Sequence, residues 1–219
     1  NPERFKNCKN RSEIDDKIIK ILNLHKKNLG VKEISCLLLH NEKYLMSKKA
    51  NLLYSSIKYL KKKKYFKKFG YSIYSFKKLK KILSKLKPDI IQCPFNVFDR
   101  RLIEKSIYDL LKKNKVEVHV RSIFLQGLLL SNLEDIPKKF IKWKNYFKKW
   151  NTWIKTKGYS KLEVCLNYSN SFPLIKRIIF GVEDLDQLKE ILSLSNNKKF
   201  LIPNNIKTNN EYLINPSKW

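Results

Sequence analysis

The chain has 219 residues, 42% of them hydrophobic and 12% aromatic, with 48 Lys and Arg against 19 Asp and Glu for a formal charge of +29. That length and apolar content suit one folded domain, or most of one, with a sizeable core. They suit a folded globule, and no apolar run approaches the roughly 18–20 residues of a membrane span.

Cys8, Cys36, Cys93 and Cys165 are far apart and form no CxxC pair. They read as reduced, mostly buried thiols of a cytoplasmic protein, without a metal site. The lysines are spread over every candidate helix, which reads as a solvated basic surface suited to nonspecific attraction. A nucleic-acid or polyanion binder is the rival reading of the charge, but no recognised nucleic-acid motif accompanies it, and no specific nucleic-acid partner is expected.

Taken in order, Ser12 with Asp15 suggests a capping box opening a helix. Ile14, Ile18, Ile21, Leu22 and Leu29 give that helix an apolar face, and Gly30 suits its stop. Ile34–Leu39 is an apolar run read as a buried parallel strand, ending on His40 and Asn41. Residues 47–64 form a basic helix with Leu52, Leu53, Ile57 and Leu60 inward, and Phe69–Ile73 a strand ending near a hydroxyl. Residues 76–87 make a short basic helix.

Asp89–Cys93, after Pro88, is long enough for a strand and too short for a helix. Gln92 is a polar residue at its carboxyl end. Residues 95–99 turn the chain, and from Arg100 the residues Leu102, Ile103, Ile107, Leu110 and Leu111 share a helical face. Val116, Val118 and Val120 alternate with Glu117, His119 and Arg121, as in a strand. His25, on a helix, and His119, within a strand, read as structural. Asp99 is expected to cap the following helix, with Arg100 and Arg101 in ion pairs.

Residues 138–171 are a helical insert carrying Trp143, Tyr146, Phe147, Trp150 and Trp153, aromatics expected in a core and broken by Gly158. Ile178–Phe180 is a strand closed by Gly181, Glu183–Leu194 a helix, and the tail from Asn196 is polar and Asn-rich. About five strands alternating with helices favour a parallel sheet with right-handed crossovers. The chain has 5 glycines and no GxGxxG, which disfavours the usual doubly wound nucleotide fold.

Five segments in series carry a resemblance: Leu37-Leu38-Leu39-His40-Asn41, Phe69-Gly70-Tyr71-Ser72, Ile90-Ile91-Gln92-Cys93-Pro94-Phe95-Asn96, Val120 to Leu129, and Ile178-Ile179-Phe180-Gly181-Val182. Their order and spacing, with the Asn215-Pro216-Ser217-Lys218-Trp219 ending, resemble the aldo/keto reductase family over nearly the whole chain. The resemblance implies a single reductase domain over residues 1–219, an α/β (β/α)8 TIM barrel. Its first three strand–helix units, with the catalytic Tyr, Lys and Asp, would lie outside these residues. Such an open barrel would expose an edge strand and apolar surface.

The resemblance also implies a hydride transfer between a nicotinamide cofactor, usually NADP with NAD left open, and a small carbonyl or alcohol substrate. His40 would polarise the substrate carbonyl. Ser72 and Gln92 would hold the nicotinamide carboxamide, although Ile73 stands where the family often has Asn. Arg121 would stack on the nicotinamide ring or pair with a phosphate or carboxylate. Ser122, Phe124, Gln126 and Gly127 match the loop along the pyrophosphate. Gly181, Gln187 and Glu190 match the adenosine end, where Val182, Gln187 and Glu190 replace the Lys or Arg of NADP-preferring members. A non-catalytic binding protein on the same barrel is the alternative.

Overall fold

The computed structural model describes residues 5, 7–40, 50–85, 87–196 and 198–219. It divides into two compact units: Asn1–Gln92 with Lys113–Val116, and Cys93–Lys112 with Glu117–Trp219.

In the first unit α1 (Arg11–Leu29) leads to β1 (Ile34–Leu39), α2 (Ala50–Lys62) to β2 (Phe66–Ser72), and α3 (Leu79–Lys85) to β3 (Ile90–Pro94), whose last two residues belong to the second unit. The capping box of α1 falls two residues before the expected one. The Asn10 side chain accepts the Glu13 N–H at 3.0 Å, and the Glu13 carboxylate accepts the Asn10 amide and the Lys9 N–H, each at 2.9 Å. Asp15, expected in that box, is turned inward, where its carboxylate accepts the buried Ser56 hydroxyl of α2 and pairs with Arg11 at 3.3 Å. Gly30 ends the helix at φ 63°, its N–H on the carbonyls of Lys26 and Lys27, a left-handed cap that glycine adopts without strain.

The strands pair in parallel, with Leu37 opposite Phe69 and Leu39 opposite Tyr71, then Tyr71 opposite Ile91 and Ser72 opposite Gln92. β2 lies between two neighbours, and Phe69 to Ser72 are all buried. A methyl group on Gly70 would collide with the backbone oxygen of Ile90 and sit 2.7 Å from Leu38 Cδ2. β1 matches its expected bounds, but it is half-buried where burial was expected. The reason is topological: among the described residues it stands at the end of the sheet with one neighbour. Leu53, Ile57 and Leu60 of α2 are buried as expected, and Leu52 only in part. Residues 47–49, expected to begin that helix, and Asn41 lie outside the described residues. β2 begins three residues earlier than expected, at Phe66.

In the second unit a 3-10 turn (Arg101–Ile103) precedes α4 (Lys105–Lys113), β4 (Glu117–Arg121) and a further 3-10 segment (Lys138–Trp143). There follow α5 (Lys144–Lys157), α6 (Lys161–Asn170), β5 (Ile175–Ile179), α7 (Leu185–Leu194) and α8 (Glu211–Ile214). β4 and β5 are parallel, with Arg121 opposite Ile179 and a bulge at Val118/His119. β5 begins at Ile175, three residues before the expected start. The five strands stand in one sheet in chain order, β1 to β5, the parallel α/β arrangement expected.

Of the five aromatics of the insert, two are core, while Trp143, Tyr146 and Trp153 are half-buried. Phe147 and Trp150 are fully buried, the Phe147 ring lies 5.4 Å from Phe98, and the Trp150 indole N–H donates to the Leu129 carbonyl at 2.9 Å. The tail is more ordered than its Asn-rich composition suggests. Phe200, Ile202, Ile206, Leu213 and Ile214 are buried, and the Thr208 N–H donates to Phe98 O at 2.9 Å.

Two expectations near β3 need correction. Asp99 caps no α-helix. Fully buried, its carboxylate takes the Arg101 guanidinium at 2.8 and 2.7 Å and the Arg101 N–H at 3.3 Å. Arg100 makes no ion pair among the described residues. Its guanidinium donates to the carbonyls of Val97 (2.9 Å), Ile202 (3.1 Å) and Pro203 (3.1 Å) and lies over the Tyr168 ring at 5.4 Å. Three carbonyls satisfy the fork where a carboxylate would satisfy two of its hydrogens.

Candidate active site

In the first unit the candidate residues stand at strand carboxyl ends. Ser72, the last residue of β2, is directly opposite Gln92 of β3, and the Ser72 hydroxyl lies 3.4 Å from Gln92 Oε1. Ser72 is 4% exposed and Gln92 half-buried. The Gln92 amide nitrogen has no protein acceptor among the described residues. A half-buried N–H₂ without an acceptor is a group that a ligand can satisfy. His40 follows β1 immediately. Since Leu39 faces Tyr71, the register carried one step further sets His40 level with Ser72 and thus with Gln92. The imidazole is exposed and has no hydrogen-bond partner among the described residues. His25 is exposed on α1, and the His119 Nε2 lies 2.8 Å from Glu117 Oε1.

The strand that carries Ser72 is anchored by buried aromatics. Tyr71, fully buried, edges onto Phe69 with ring centres 4.9 Å apart. Burial, with the nearby Tyr54, pushes its phenol far above the usual value.

In the second unit Arg121 ends β4, its carbonyl accepting the Phe95 N–H at 3.1 Å. The backbone turns left-handed at Ser122 (φ 58°) and again at Leu125 (48°), Gln126 (55°) and Gly127 (85°). Three successive left-handed residues, two of them not glycine, form strained backbone of the kind that clusters where a chain clasps a ligand. The loop is held from within, Leu125 N–H on Ser122 O at 2.9 Å and Leu129 N–H on Phe124 O at 3.2 Å. Ile123 and Leu125 are buried anchors, while Gln126 is exposed. The Phe124 ring lies 6.2 Å from Phe180, just before Gly181.

Asn96 is the residue that sequence reasoning missed. It is 1% exposed, its amide donates to Ser122 O at 3.0 Å, and its Oδ1 accepts the N–H groups of Phe98 (2.9 Å) and Asp99 (2.8 Å). One side chain thus fixes both the turn after β3 and the start of the loop after β4. The signal available was an Asn three residues before an Asp in a turn, a side-chain–backbone turn pattern. Cys93, three residues earlier, is fully buried: burial first, then the Asp99 charge, push its thiol far up, against the pull of Arg121 and Arg101.

Gly181 is exposed, with open space around it and no left-handed backbone, so nothing local demands a glycine there. Gln187 serves the start of α7: its N–H donates to Asp184 Oδ1 at 2.8 Å and its Oε1 accepts the Glu183 N–H at 3.1 Å. Glu190 is exposed. Among the described residues no cluster of His, Cys, Asp or Glu could hold a metal ion, and no helix is long and apolar enough to cross a membrane.

No curated protein matches the sequence. Among solved structures the chain is similar to the aldo-keto reductase AKR11C1 from Bacillus halodurans in its holo and apo forms. Each likeness has a TM-score of 0.69 at 16% identity and covers 85% of this chain. The chain spans 64% of the holo and 65% of the apo chain. At that identity the likeness shows the fold, a parallel α/β fold of the reductase TIM-barrel type. The family model that matches, Aldo/keto reductase family, runs over residues 6–202 and so takes in both units, from α1 to the tail. On that match the chain belongs to the aldo/keto reductase family.

Proposed function

We propose that the protein is an oxidoreductase that transfers hydride between a nicotinamide dinucleotide and a small carbonyl or alcohol substrate. The observation that carries the reading is the facing pair Ser72 and Gln92, 3.4 Å apart at adjoining strand ends. A primary carboxamide offers one acceptor and two donors, and a hydroxyl beside a side-chain amide with an unused N–H₂ complements it. Those residues fit a nicotinamide carboxamide. When bound, the dinucleotide supplies the hydride.

The chain's own residues do the rest. Ser72 and Gln92 orient the carboxamide. Arg121 lays its guanidinium on the ring or pairs with a phosphate. Ser122, Phe124, Gln126 and Gly127 follow the diphosphate, with the left-handed backbone exposing N–H groups. Gly181, Gln187 and Glu190 serve the adenosine end. NADP is the proposed cofactor, with NAD the alternative, because Val182, Gln187 and Glu190 offer no cation. His40 donates a hydrogen bond to the substrate carbonyl and orients it.

The proposed enzyme includes the family's first three strand–helix units, with an acid Tyr and its Lys and Asp. Two features support this. Among the described residues β1 and β5 each have one strand neighbour, and exposed apolar side chains accompany both: Leu29 and Val31 by β1, Ile179 and Leu185 by β5. The buried free thiols Cys93 and Cys165 support a reducing compartment, and we place the enzyme in the cytoplasm.

The test is carbonyl-dependent oxidation of NADPH and NADH over a panel of aldehydes and ketones. Turnover supports the reading. Cofactor binding without turnover by the whole protein favours a binding protein on the same fold, and neither binding nor turnover overturns it.

A further inference from the structure

Helices α1, α2 and α3 each run into the strand that follows, so their carboxyl ends share one end of the first unit with the amino ends of β1, β2 and β3. That end is strongly basic. Its two acids are occupied: Glu33 pairs with Lys67 at 2.7 Å, and Asp89 pairs with Lys61 at 2.5 Å while accepting the Phe69 N–H at 2.8 Å. Lys27, Lys62, Lys63, Lys64, Lys85 and Lys87 are exposed there and have no acidic partner among the described residues.

We propose that this amino end is a binding surface for the phosphate backbone of single-stranded RNA. A helix carboxyl end carries about half a negative charge, so three helix ends answer only about one and a half of these six cations. The surplus stands at three places along the sheet order β1-β2-β3. A row of charge suits a linear polyanion, whose condensed counterions are released on binding. An aromatic face accompanies it. Tyr59 in the last turns of α2 is 37% exposed, with the Lys63 ammonium 5.9 Å from its ring centre; the Arg11 guanidinium at 4.6 Å comes from the amino end of α1. Aromatic rings beside a basic track are how single strands are held without sequence preference. Nor is the charge uniform over the protein: the start of α7 carries Glu183, Asp184 and Asp186. His40, Ser72 and Gln92 stand at the other, carboxyl ends of the same strands, so the surface is separate from the candidate active site.

The test is fluorescence anisotropy of a labelled oligouridine of about 20 nucleotides, titrated with the protein from about 50 to 300 mM KCl. K62Q/K63Q/K64Q is compared with K148Q/K149Q/K155Q, an equal loss of charge on exposed α5 positions. Lys→Gln keeps helix propensity, and circular dichroism checks that each variant folds. The patch variant should weaken binding at least tenfold and lower the slope of log affinity against log salt by about 2, at about 0.7 per single-strand phosphate contact. The α5 variant should weaken it less than threefold. Equal losses in the two variants would overturn the proposal, since net charge alone would then explain binding. So would absence of binding at low salt, or tight binding to phosphatidylserine vesicles that oligouridine fails to displace.

Discussion

The two groups of candidate cofactor residues are held in opposite ways. Ser72 and Gln92 are placed by a regular parallel ladder, in which register alone sets them face to face. Ser122, Gln126 and Gly127 are placed by a loop with left-handed backbone, braced by Asn96, whose own turn also holds the buried Asp99–Arg101 pair. A ladder tolerates side-chain change and fails when strand spacing fails. A strained loop keeps its shape only while its braces hold.

The largest effect is expected on the loop side. Asp99→Ala leaves the Arg101 guanidinium, 12% exposed, without its main partner. Burial raises the Asp99 carboxyl above its ordinary value despite Arg101, so the pair is a costly one that is held in place. Breaking a buried pair on one side costs about 3–5 kcal/mol. Urea unfolding should show that loss, and a change under about 1 kcal/mol would mean the pair is not a brace.

On the ladder side Gly70→Ala should destabilise by about 1–3 kcal/mol. The new methyl meets the Ile90 carbonyl, which is backbone and cannot swing away. It should weaken cofactor binding together with stability, because β2 carries Ser72. An Ala variant with unchanged unfolding midpoint would show that the strands have room to spare.

A third expectation concerns pH. Burial raises the thiols of Cys93 and Cys165, so above the ordinary thiol pKa of about 8.5 the folded chain holds protons that the unfolded chain has lost. Stability therefore falls as pH rises beyond that point, by up to about 1.4 kcal/mol per pH unit per thiol. Urea midpoints at pH 8, 9 and 10 should decline, and Cys165→Ala should decline less steeply. A flat profile would contradict the burial of both thiols.

The smallest effect is at the entry to α1. Asn10→Ala should cost about 1 kcal/mol by removing the cap, whereas Ser12→Ala should be nearly silent. The reverse order, by thermal denaturation, would move the cap back to where the sequence first suggested it.

That last pair shows what the sequence could convey. Strand positions such as Ile34–Leu39 and the central Ile90–Gln92 were legible because apolar runs bounded by polar residues have few other uses. The Ser72–Gln92 pair was legible through the resemblance, and the ladder sets the two residues face to face. Caps were less so: Asn10 and Ser12 are both good N-caps, and only the backbone decides which side chain faces the free N–H. The half-exposure of β1 could not be read at all, since an apolar run does not say how many neighbours its strand has. The tail misled for a similar reason. Phe200, Ile202 and Ile206 are isolated among Asn and Lys, and the carbonyls that Arg100 gathers come from residues about one hundred positions away.

The central claim is that Gln92, facing Ser72, holds the carboxamide of a nicotinamide cofactor. Its most direct test is calorimetric titration of NADPH, and separately NADH, into the protein and its Gln92→Ala variant. The account predicts saturable binding that weakens about tenfold in the variant, the worth of one or two good hydrogen bonds, with the unfolding midpoint little changed. Equal affinity in both proteins, or no binding of either nucleotide to the folded wild type, would contradict it.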